Sequence, residues 1–210
     1  MKILNKQQIE QLLATIDPMP LIEQGFVQYS QGLATVPPVG ELLMDNGEVH
    51  IKYGYIKSDD YYVIKIASGF YQNQALGLPS SNGLMLLFSQ QTGEMVCTLL
   101  DEGYLTDIRT AVAGAIAAKY LAPKKVAAIG IVGTGIQARL QALYLKPITD
   151  CRRIIVWGRS DKKLAAFHQD MVQQGFEVTT TKNIQDVTEQ ANLIVTTTPS
   201  TAAILKAQDI

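Results

Sequence analysis

The chain has 210 residues, 47% of them hydrophobic, and a formal net charge of −1 at pH 7. This length allows one large or two small domains with a real hydrophobic core. The balanced charge and the lack of lysine or arginine runs argue against nucleic acid and anionic membranes as partners, so small neutral or anionic metabolites are favoured. The polar segment 6–11 follows the start directly, and no apolar run approaches the length of a membrane span, which predicts a cytoplasmic protein.

The first half of the chain has the pattern of an α+β domain. Asn5 with Gln8 three positions later resembles a capping box that opens a helix to about residue 15, and Pro18 opens a second helix that ends near residue 32. β-rich segments follow, separated by turn signals, and a long alanine-rich helix is expected over 105–121. The predicted strands of this mainly antiparallel sheet are 49–56, 61–67, 84–88 and 94–100.

Two cations in this half lie in apolar surroundings and are candidate functional groups. Lys65 lies in YYVIKIASGF, and Arg109 lies near the start of LTDIRTAVAGAIAAKYL. Lys65 also fits an outward-facing strand position, and Arg109 also fits an ion pair with Asp107 or Glu102. In the functional interpretation both cations bind an α-carboxylate, and the lysine ammonium also delivers or relays a proton.

The cysteines and histidines are too few and too scattered to indicate a metal site. Cys97 and Cys151 show neither CxxC spacing nor nearby histidine pairs, and His50 and His168 are the only histidines. We therefore predict two reduced structural thiols and no protein-bound catalytic metal.

The segment KKVAAIGIVGTGIQARLQALYL predicts a buried strand that runs through a glycine turn into a helix. Residues 126–132 are almost purely apolar, and Gly133 and Gly135 supply the tight turn and close backbone approach that a Cβ would obstruct. The unpaired N–H groups and positive dipole end of a helix from Ile136 onward suit the pyrophosphate of a dinucleotide. Ala138 stands at the third glycine position of GxGxxG, where a small residue is accepted.

Strands and helices alternate after this turn, which predicts a parallel, doubly wound Rossmann-type sheet. Gly158, Arg159 and Ser160 occupy the end of its second strand, where NAD-preferring folds usually carry an acid. The guanidinium and the hydroxyl suit a 2′-phosphate, which favours NADPH over NADH, although Arg159 also fits a solvated loop position. The expected elements are strands at 153–157, 177–181 and 191–198 and a helix at 161–174.

We place the domain boundary near residue 120, between an α+β domain at 1–120 and an NAD(P)-binding Rossmann-like domain at 121–210. A doubly wound dinucleotide fold uses about six strands, and the sequence predicts fewer here. We therefore expect that the C-terminal part of the nucleotide fold is missing and that the chain is a fragment.

The sequence resembles the ornithine cyclodeaminase and mu-crystallin family over essentially its whole length. The matching segments are TVPP at 35–38, VIKIASGF around Lys65, GLP and NG within 77–83, LLFSQQTG at 86–93, LTDIRTAVAGAIAAKYLA at 105–122 and GTGIQA at 133–138. The RTA segment together with GxGxQA is fairly specific to the family, whereas the glycine turn alone is not. The resemblance implies a homodimer formed through the N-terminal sheets, an active site between the two domains and a bound NAD(P).

The same resemblance implies roles for individual residues. Lys65 and Arg109 match the family's ligands of the substrate carboxylate, which makes residues 1–120 the substrate-binding and dimerisation domain. The residues that match the cofactor-binding turn and loops are Thr110, Gly133, Thr134, Gly135, Ile136, Gln137, Thr197, Thr198 and Pro199.

Departures from the family pattern bear on the substrate. Many relatives carry an arginine after the PP of TVPP, where this chain has Val39 and Gly40, and the cyclodeaminases carry a strand glutamate whose nearest counterpart here is His50. Both losses argue against ornithine. His50 is a candidate proton source or orienting group, although it also fits a structural hydrogen-bonding position.

The chain is most similar to the bacterial branch of the family that reduces Δ1-pyrroline-2-carboxylate to L-proline, often in hydroxyproline breakdown. The resemblance therefore implies NAD(P)H-dependent reduction of this cyclic imino acid, with Δ1-piperideine-2-carboxylate, reduced to L-pipecolate, as a second candidate substrate. Lys65 and Arg109 would align the substrate so that hydride reaches the imine carbon. Two alternatives stay open: an ornithine cyclodeaminase that forms proline and ammonia, and a non-catalytic, mu-crystallin-like protein that binds NADPH.

Overall fold

A computed structural model describes residues 1–209, which divide into two compact units, Met1–Arg109 and a second unit that begins at Thr110. The predicted fold class is confirmed, since the first unit is α+β with a mainly antiparallel sheet and the second is built on a parallel, Rossmann-type sheet. The division between the units falls inside one long helix, somewhat before the boundary placed near residue 120. Among the described residues, no helix is long and apolar enough to cross a membrane.

Local sequence signals begin the two N-terminal helices. The Asn5 side chain accepts the Gln8 backbone N–H at 3.0 Å, and the Gln8 side chain accepts the Asn5 backbone N–H at 3.0 Å, so the predicted capping box is present. Asp17 caps the second helix by accepting the Met19 N–H, and Pro18 takes the first helical position. These helices are α1, Lys6–Leu13, and α2, Pro18–Ser30.

The first unit contains a seven-stranded sheet. Its strands are β1 Lys2–Asn5, β2 Ala34–Thr35, β3 Gly40–Met44, β4 Gly47–Ile56, β5 Tyr61–Gly69, β6 Ser81–Ser89 and β7 Met95–Leu100, with a 3-10 helix at Tyr71–Leu76. The strand order is β1-β7-β6-β5-β4-β2, and β3 also pairs with β4. Only the β1 and β7 pair is parallel. The sequence pattern does not predict β1, β2 and β3, which are short and depend on partners distant along the chain.

The register between β4 and β5 fixes which side chains share a face of this sheet. Lys52 lies directly opposite Lys65, and His50 lies opposite Ala67. Successive side chains of a strand point to opposite faces, so Lys52 and His50 share the face of Lys65, whereas Ile51 points to the other face.

The second unit contains a four-stranded parallel sheet with the order β10-β9-β8-β11, where β8 is Ile129–Val132, β9 is Arg153–Trp157, β10 is Glu177–Thr181 and β11 is Leu193–Thr196. Its helices are α3 Tyr104–Leu121, α4 Ile136–Leu145, α5 Asp161–Gln173 and α6 Gln185–Gln190, and α3 begins in the first unit. A 3-10 helix covers Ala207–Asp209.

The core of the second unit lies on both faces of this sheet. Ile129 and Ile131 of β8 pack with α4 and α5, where Phe167 is fully buried. Val132 packs on the other face with Val187 of α6. Alternate residues of one strand therefore bury against helices on opposite sides, as a doubly wound sheet requires.

The structure differs from the predicted elements mainly in length. The predicted strand at 126–132 is wrong for its first half, because β8 pairs with its neighbours only from Ile129 onward. The predicted strand at 191–198 is likewise too long, because β11 ends at Thr196. Helix α6 is not predicted, since it is a short polar helix with Val187 as its buried residue.

Candidate functional site

Lys65 lies in the middle of β5, and its ammonium group donates a hydrogen bond to Thr106 Oγ1 of α3 at 3.4 Å. Its neighbours across the sheet are Lys52 on β4 and Met85 on β6. The side chain is only partly exposed. This partly buried position differs from the fully solvated strand position that the sequence pattern also allows.

Asp101 organises the start of the helix that carries Arg109. The Asp101 side chain is 1% exposed and accepts the Leu105 N–H at 2.8 Å, while its carbonyl oxygen accepts the Tyr104 N–H at 2.9 Å. These bonds satisfy N–H groups that a helix start otherwise leaves unpaired. The sequence analysis did not single out Asp101, although an aspartate just before an apolar helix is a recognised helix-start signal.

Arg109 follows Thr106 by about one helical turn on α3. Glu102, one of its two possible ion-pair partners, instead lies 3.5 Å from the Lys6 ammonium. Loss of contact with water lowers the pKa of the Arg109 guanidinium, and the nearby Asp107 carboxylate opposes this shift. Although its side chain keeps substantial exposure, the guanidinium stays charged near neutral pH because its ordinary pKa is so high.

The Lys65 ammonium has a pKa lowered from 10.5 to about 8. Burial contributes most, followed by repulsion from the Arg109 and Lys52 cations, and the Asp101 carboxylate partly offsets these effects. An ammonium with this pKa is cationic enough at neutral pH to bind an anion, and it releases a proton more readily than an ordinary lysine.

We expect the apparent affinity for an anionic substrate to fall as the pH rises through about 8, because Lys65 loses its charge there. The lowered pKa sets the sign: the cation is present below about 8 and absent above it, whereas an ordinary lysine would stay charged to about 10.5. The measurement is the pH profile of kcat/KM. In Lys65→Arg this alkaline limb should move to higher pH, and an unchanged limb would assign it to another group.

His50 lies between two carboxylates on the same sheet face as Lys65. Its Nδ1 lies 3.7 Å from Glu41 Oε1, and its Nε2 lies 3.6 Å from Glu48 Oε1. Glu48 also accepts a hydrogen bond from the Tyr71 hydroxyl at 3.2 Å. Two carboxylates therefore flank the imidazole, a position compatible with both the orienting role and the structural role left open by the sequence.

In the second unit, Gly133 and Thr197 lie against each other at the carboxyl ends of β8 and β11. Gly133 has a φ of 124°, and a Cβ there would lie 2.6 Å from Thr197 Oγ1. The Thr197 N–H and hydroxyl both donate to the Val132 carbonyl oxygen, at 2.9 Å and 3.2 Å. The structure therefore brings together two predicted cofactor-binding segments that are distant in the sequence, and Thr198 and Pro199 follow in the same loop.

Gly135 leaves an open surface at the start of α4. It is the N-cap residue, it provides no side-chain cap, and a Cβ there would meet no atom within 4 Å. The space beside Gly135 is therefore free of side-chain obstruction, and it lies at the positive end of the helix dipole, where the first helical turn with Ile136 and Gln137 begins. This cradle fits a dinucleotide pyrophosphate.

Arg139 holds the glycine turn and was not singled out from the sequence. One guanidinium nitrogen, Nη1, donates to the carbonyl oxygens of Thr134 and Gly135 at 2.6 Å and 3.2 Å. Nε and Nη2 both approach Asp170 Oδ2 of α5 at 2.7 Å. These contacts occupy the carbonyl oxygens of Thr134 and Gly135 and turn them away from a ligand bound at the start of α4. A charged residue within a largely apolar helix is the feature of the sequence that could have drawn attention to Arg139. Its partner on α5 could not be inferred from the sequence.

Thr110 lies beside the middle of α4 rather than at its start. Its carbonyl oxygen accepts a hydrogen bond from Gln141 Nε2 at 3.2 Å, and Gln141 is 6% exposed. Gln141 packs over Gly114, where a Cβ would lie 2.0 Å from its Oε1. The close approach of α3 and α4 thus depends on Gly114. The hydrogen bond from Gln141 fixes the position of the Thr110 backbone.

Arg159 and Ser160 follow β9 as predicted. The Ser160 hydroxyl caps α5 by accepting the Lys163 N–H at 3.4 Å. Arg159 is exposed, and within residues 1–209 its side chain takes part in no hydrogen bond or ion pair. Gly158 lies close to the glycine turn, since a Cβ there would be 2.9 Å from Thr134 Cγ2. A guanidinium is therefore available beside the turn.

Comparison with known proteins gives a consistent assignment. The sequence matches the Ornithine cyclodeaminase/mu-crystallin family over residues 1–210. It is 37% identical over 212 residues to an uncharacterized cyclodeaminase of Sinorhizobium fredii. The aligned region covers 99% of this chain and 64% of the relative. The chain therefore spans less than two thirds of the length of that curated relative.

Two solved structures are also similar. One is an archaeal alanine dehydrogenase dimer with bound NAD, with 28% sequence identity and a TM-score of 0.90 over 100% of this chain and 64% of the other. The second is Thermococcus litoralis Δ1-pyrroline-2-carboxylate reductase in complex with NADH and L-proline, with 26% identity and a TM-score of 0.87 over 93% of this chain and 61% of the other.

Proposed function

Because the chain belongs to the ornithine cyclodeaminase/mu-crystallin family, we propose that the full-length protein is an NAD(P)H-dependent reductase of cyclic imino acids. The proposed reaction converts Δ1-pyrroline-2-carboxylate to L-proline, and Δ1-piperideine-2-carboxylate is a second candidate substrate. The observation that carries the proposal is that two cations, Lys65 and Arg109, lie near each other at the start of α3 within the first unit. Similarity to a Δ1-pyrroline-2-carboxylate reductase supports it.

We assign the substrate carboxylate to Lys65 and Arg109. A guanidinium forms paired hydrogen bonds with a carboxylate, and an ammonium adds a point charge. Both cations lose repulsion energy when an anion lies between them, which favours an acid over a neutral ligand. Lys65 is also the proposed proton donor to the imine nitrogen, because its pKa of about 8 keeps a transferable proton near neutral pH. His50 remains a second candidate for that role.

We assign coenzyme binding to the glycine turn of the second unit. Gly133, Gly135 and the first turn of α4 would hold the pyrophosphate, Thr197 would line the adjacent loop, and Arg159 would contact a 2′-phosphate. The bound coenzyme supplies the hydride that reduces the imine carbon. Arg139 keeps the turn carbonyls engaged, so the phosphates meet N–H groups rather than oxygen atoms.

Charge argues against ornithine as the substrate. Lys52 lies directly opposite Lys65, so two cations lie side by side on this sheet face. The second ammonium of a diamine placed beside them would be repelled. The cyclodeaminase alternative, which the Sinorhizobium relative raises, therefore stays the second candidate.

The test is an assay of the full-length protein with each imine and each reduced coenzyme, followed by the absorbance of the coenzyme. We expect oxidation of the reduced coenzyme in the presence of Δ1-pyrroline-2-carboxylate and no release of ammonia from L-ornithine. Formation of proline and ammonia from ornithine with catalytic NAD⁺ would identify a cyclodeaminase. Tight coenzyme binding without any turnover would identify a mu-crystallin-like binding protein.

Arg159→Ala is expected to weaken NADPH binding far more than NADH binding, by about 1 to 3 kcal/mol for a lost charged hydrogen bond. The physical reason is that only NADPH carries the 2′-phosphate that this exposed guanidinium would contact. Dissociation constants of both coenzymes, measured by fluorescence titration, give the comparison. Equal losses for both coenzymes would remove Arg159 from the 2′-phosphate site.

We also propose a homodimer formed through the first unit. The face of β4 opposite to Lys52 carries Ile51, Tyr53 and Tyr55, each at least 40% exposed in the single chain. On the neighbouring strand β3, Leu42 lies opposite Val49 and therefore shares this face, and it is 58% exposed. A contiguous apolar surface of this kind is typical of a protein–protein interface.

Tyr53→Glu is therefore expected to convert the full-length dimer to a monomer, because it places a charge on the proposed interface. Light scattering coupled to size-exclusion chromatography measures the mass. Val172→Glu, which alters an exposed apolar residue of α5, is the matched control and should leave the mass unchanged. A monomeric wild-type protein, or a dimer that survives Tyr53→Glu, would contradict this interface.

A further inference from the structure

We infer that Lys182 and Asp161 set the choice between NADPH and NADH with opposite signs: Lys182 binds the 2′-phosphate together with Arg159, and Asp161 disfavours it. The inference rests on the proposed function, because it assigns two further residues to the proposed coenzyme site. Neither Lys182 nor Asp161 lies in a segment that matches the family pattern.

The pairing of β9 with β10 places Lys182 beside the residue that precedes Arg159. Thr181 and Trp157, the last residues of the two strands, lie opposite each other, and the Thr181 carbonyl oxygen accepts the Gly158 N–H at 3.2 Å. The Trp157 indole Nε1 donates a hydrogen bond to the Lys182 carbonyl oxygen at 3.0 Å. These contacts hold the Lys182 backbone at the carboxyl edge of the sheet, where doubly wound folds bind their ligands.

The Lys182 side chain extends from β10 to the start of α5. Its ammonium lies 3.0 Å from Asp161 Oδ2, and Asp161 is the first residue of this helix. Arg159 precedes Asp161 by two positions. The ammonium and the guanidinium therefore belong to the same helix start, which is also the positive end of the α5 dipole.

The ion pair between Lys182 and Asp161 is easily exchanged for a ligand. The two side chains are 58% and 80% exposed, and an ion pair in contact with water contributes little to stability. A phosphate monoester carries nearly two negative charges near neutral pH, so it attracts the ammonium more strongly than one carboxylate does. Binding of NADPH would thus replace the Asp161 carboxylate by the phosphate, and Arg159 would add charged hydrogen bonds.

Asp161 acts in the opposite direction. Its carboxylate repels a phosphate, whereas it can accept hydrogen bonds from the ribose hydroxyls of NADH, as the acid of NAD-preferring folds does. Asp186, another acid at this edge, is engaged in its own turn by the Thr181 hydroxyl and by the Asn183 amide, the latter at 3.2 Å. The exposed Asp161 therefore supplies the opposing charge, and Lys182 offsets it.

The test is the preference for NADPH, expressed as the Kd of NADH divided by the Kd of NADPH and measured by fluorescence titration of the full-length protein. Lys182→Met should lower this ratio by about tenfold, as for loss of one charged hydrogen bond. Asp161→Asn should raise it by about threefold or more, because a repulsive charge is removed. Both positions are exposed, so the variants should fold.

Two further variants make the result specific. Lys182→Arg keeps the charge and should keep most of the ratio. Lys124→Met removes an exposed lysine from the segment before β8, at the opposite edge of the parallel sheet, and should leave the ratio unchanged.

An unchanged ratio in Lys182→Met or in Asp161→Asn, or a change of the opposite sign in either variant, would overturn the inference. If Arg159→Ala lowered the ratio while these two variants did not, the inference would fail and the proposed coenzyme site would stand. Failure of the full-length protein to bind either coenzyme would overturn both the inference and the proposed function.

Discussion

Lys65→Met in the full-length protein is expected to lower kcat/KM for Δ1-pyrroline-2-carboxylate by about two to three orders of magnitude. The change removes a cation that binds the carboxylate and, in the proposed reaction, the proton donor to the imine nitrogen. Methionine has a similar length and suits a partly buried strand position beside Met85, so the fold should persist. Steady-state kinetics measure the loss, and thermal unfolding confirms that the variant is folded.

Two companion variants separate charge from proton transfer. Lys65→Arg keeps the cation but cannot release a proton near neutral pH, so it should recover binding, seen in KM, more than kcat. Lys57→Met lies just beyond the end of β4 and should leave both constants near the wild-type values. If Lys65→Met kept wild-type kcat/KM while it remained folded, Lys65 would have neither proposed role.

Gly135→Val is expected to raise the dissociation constant of the reduced coenzyme by about ten- to a hundredfold, which corresponds to the loss of charged hydrogen bonds to the phosphates. The expected result depends on a specific property of this position. A Cβ at Gly135 meets no protein atom within 4 Å, so the protein itself does not require glycine there. Only a ligand that approaches the start of α4 would be displaced. Fluorescence titration of the coenzyme gives the affinity.

Gly25→Val is a matched control for this variant, because a Cβ at Gly25 also meets no atom within 4 Å and the residue lies on α2 of the other unit. It should leave coenzyme affinity unchanged. Gly133 would be a poorer probe, since a side chain there clashes with Thr197 and disturbs the fold as well as the turn. Undiminished coenzyme affinity in Gly135→Val would place the pyrophosphate elsewhere.

The sequence predicts well where local chemistry decides the structure. The capping box of Asn5 and Gln8, the cap at Asp17 and the strand of β9 all depend on residues close together in the chain. The turn at Gly133 is also predictable, because an apolar strand followed by glycines and a helix has few alternatives.

Features that depend on distant partners were not predictable. The bond of Arg139 to Asp170 joins two helices that approach only after the sheet has formed. The pairing of Lys52 with Lys65 depends on the register of β4 and β5, which one residue of slip would reverse. His50 drew attention through family resemblance, whereas Lys52 lies nearer to Lys65 in the sheet.

In the candidate site too, some features can be predicted from the sequence, whereas others depend on contacts that form only in the folded chain. Lys65 and Arg109 stand out as cations in apolar segments, which a sequence displays directly. The lowered pKa of Lys65 depends on burial and on two neighbouring cations, and these are properties of the folded unit. Asp101 is intermediate, because its position before a helix is visible in the sequence but its complete burial is not.

The central claim, that Lys65 and Arg109 select an imine by its carboxylate, is tested most directly by comparing Δ1-pyrroline-2-carboxylate with Δ1-pyrroline, which lacks the carboxylate. The measurement is kcat/KM of the full-length protein for each compound with saturating reduced coenzyme. The account predicts that removal of the carboxylate lowers kcat/KM by at least about a hundredfold, since two charged contacts are lost together. Comparable values for the two imines would contradict it.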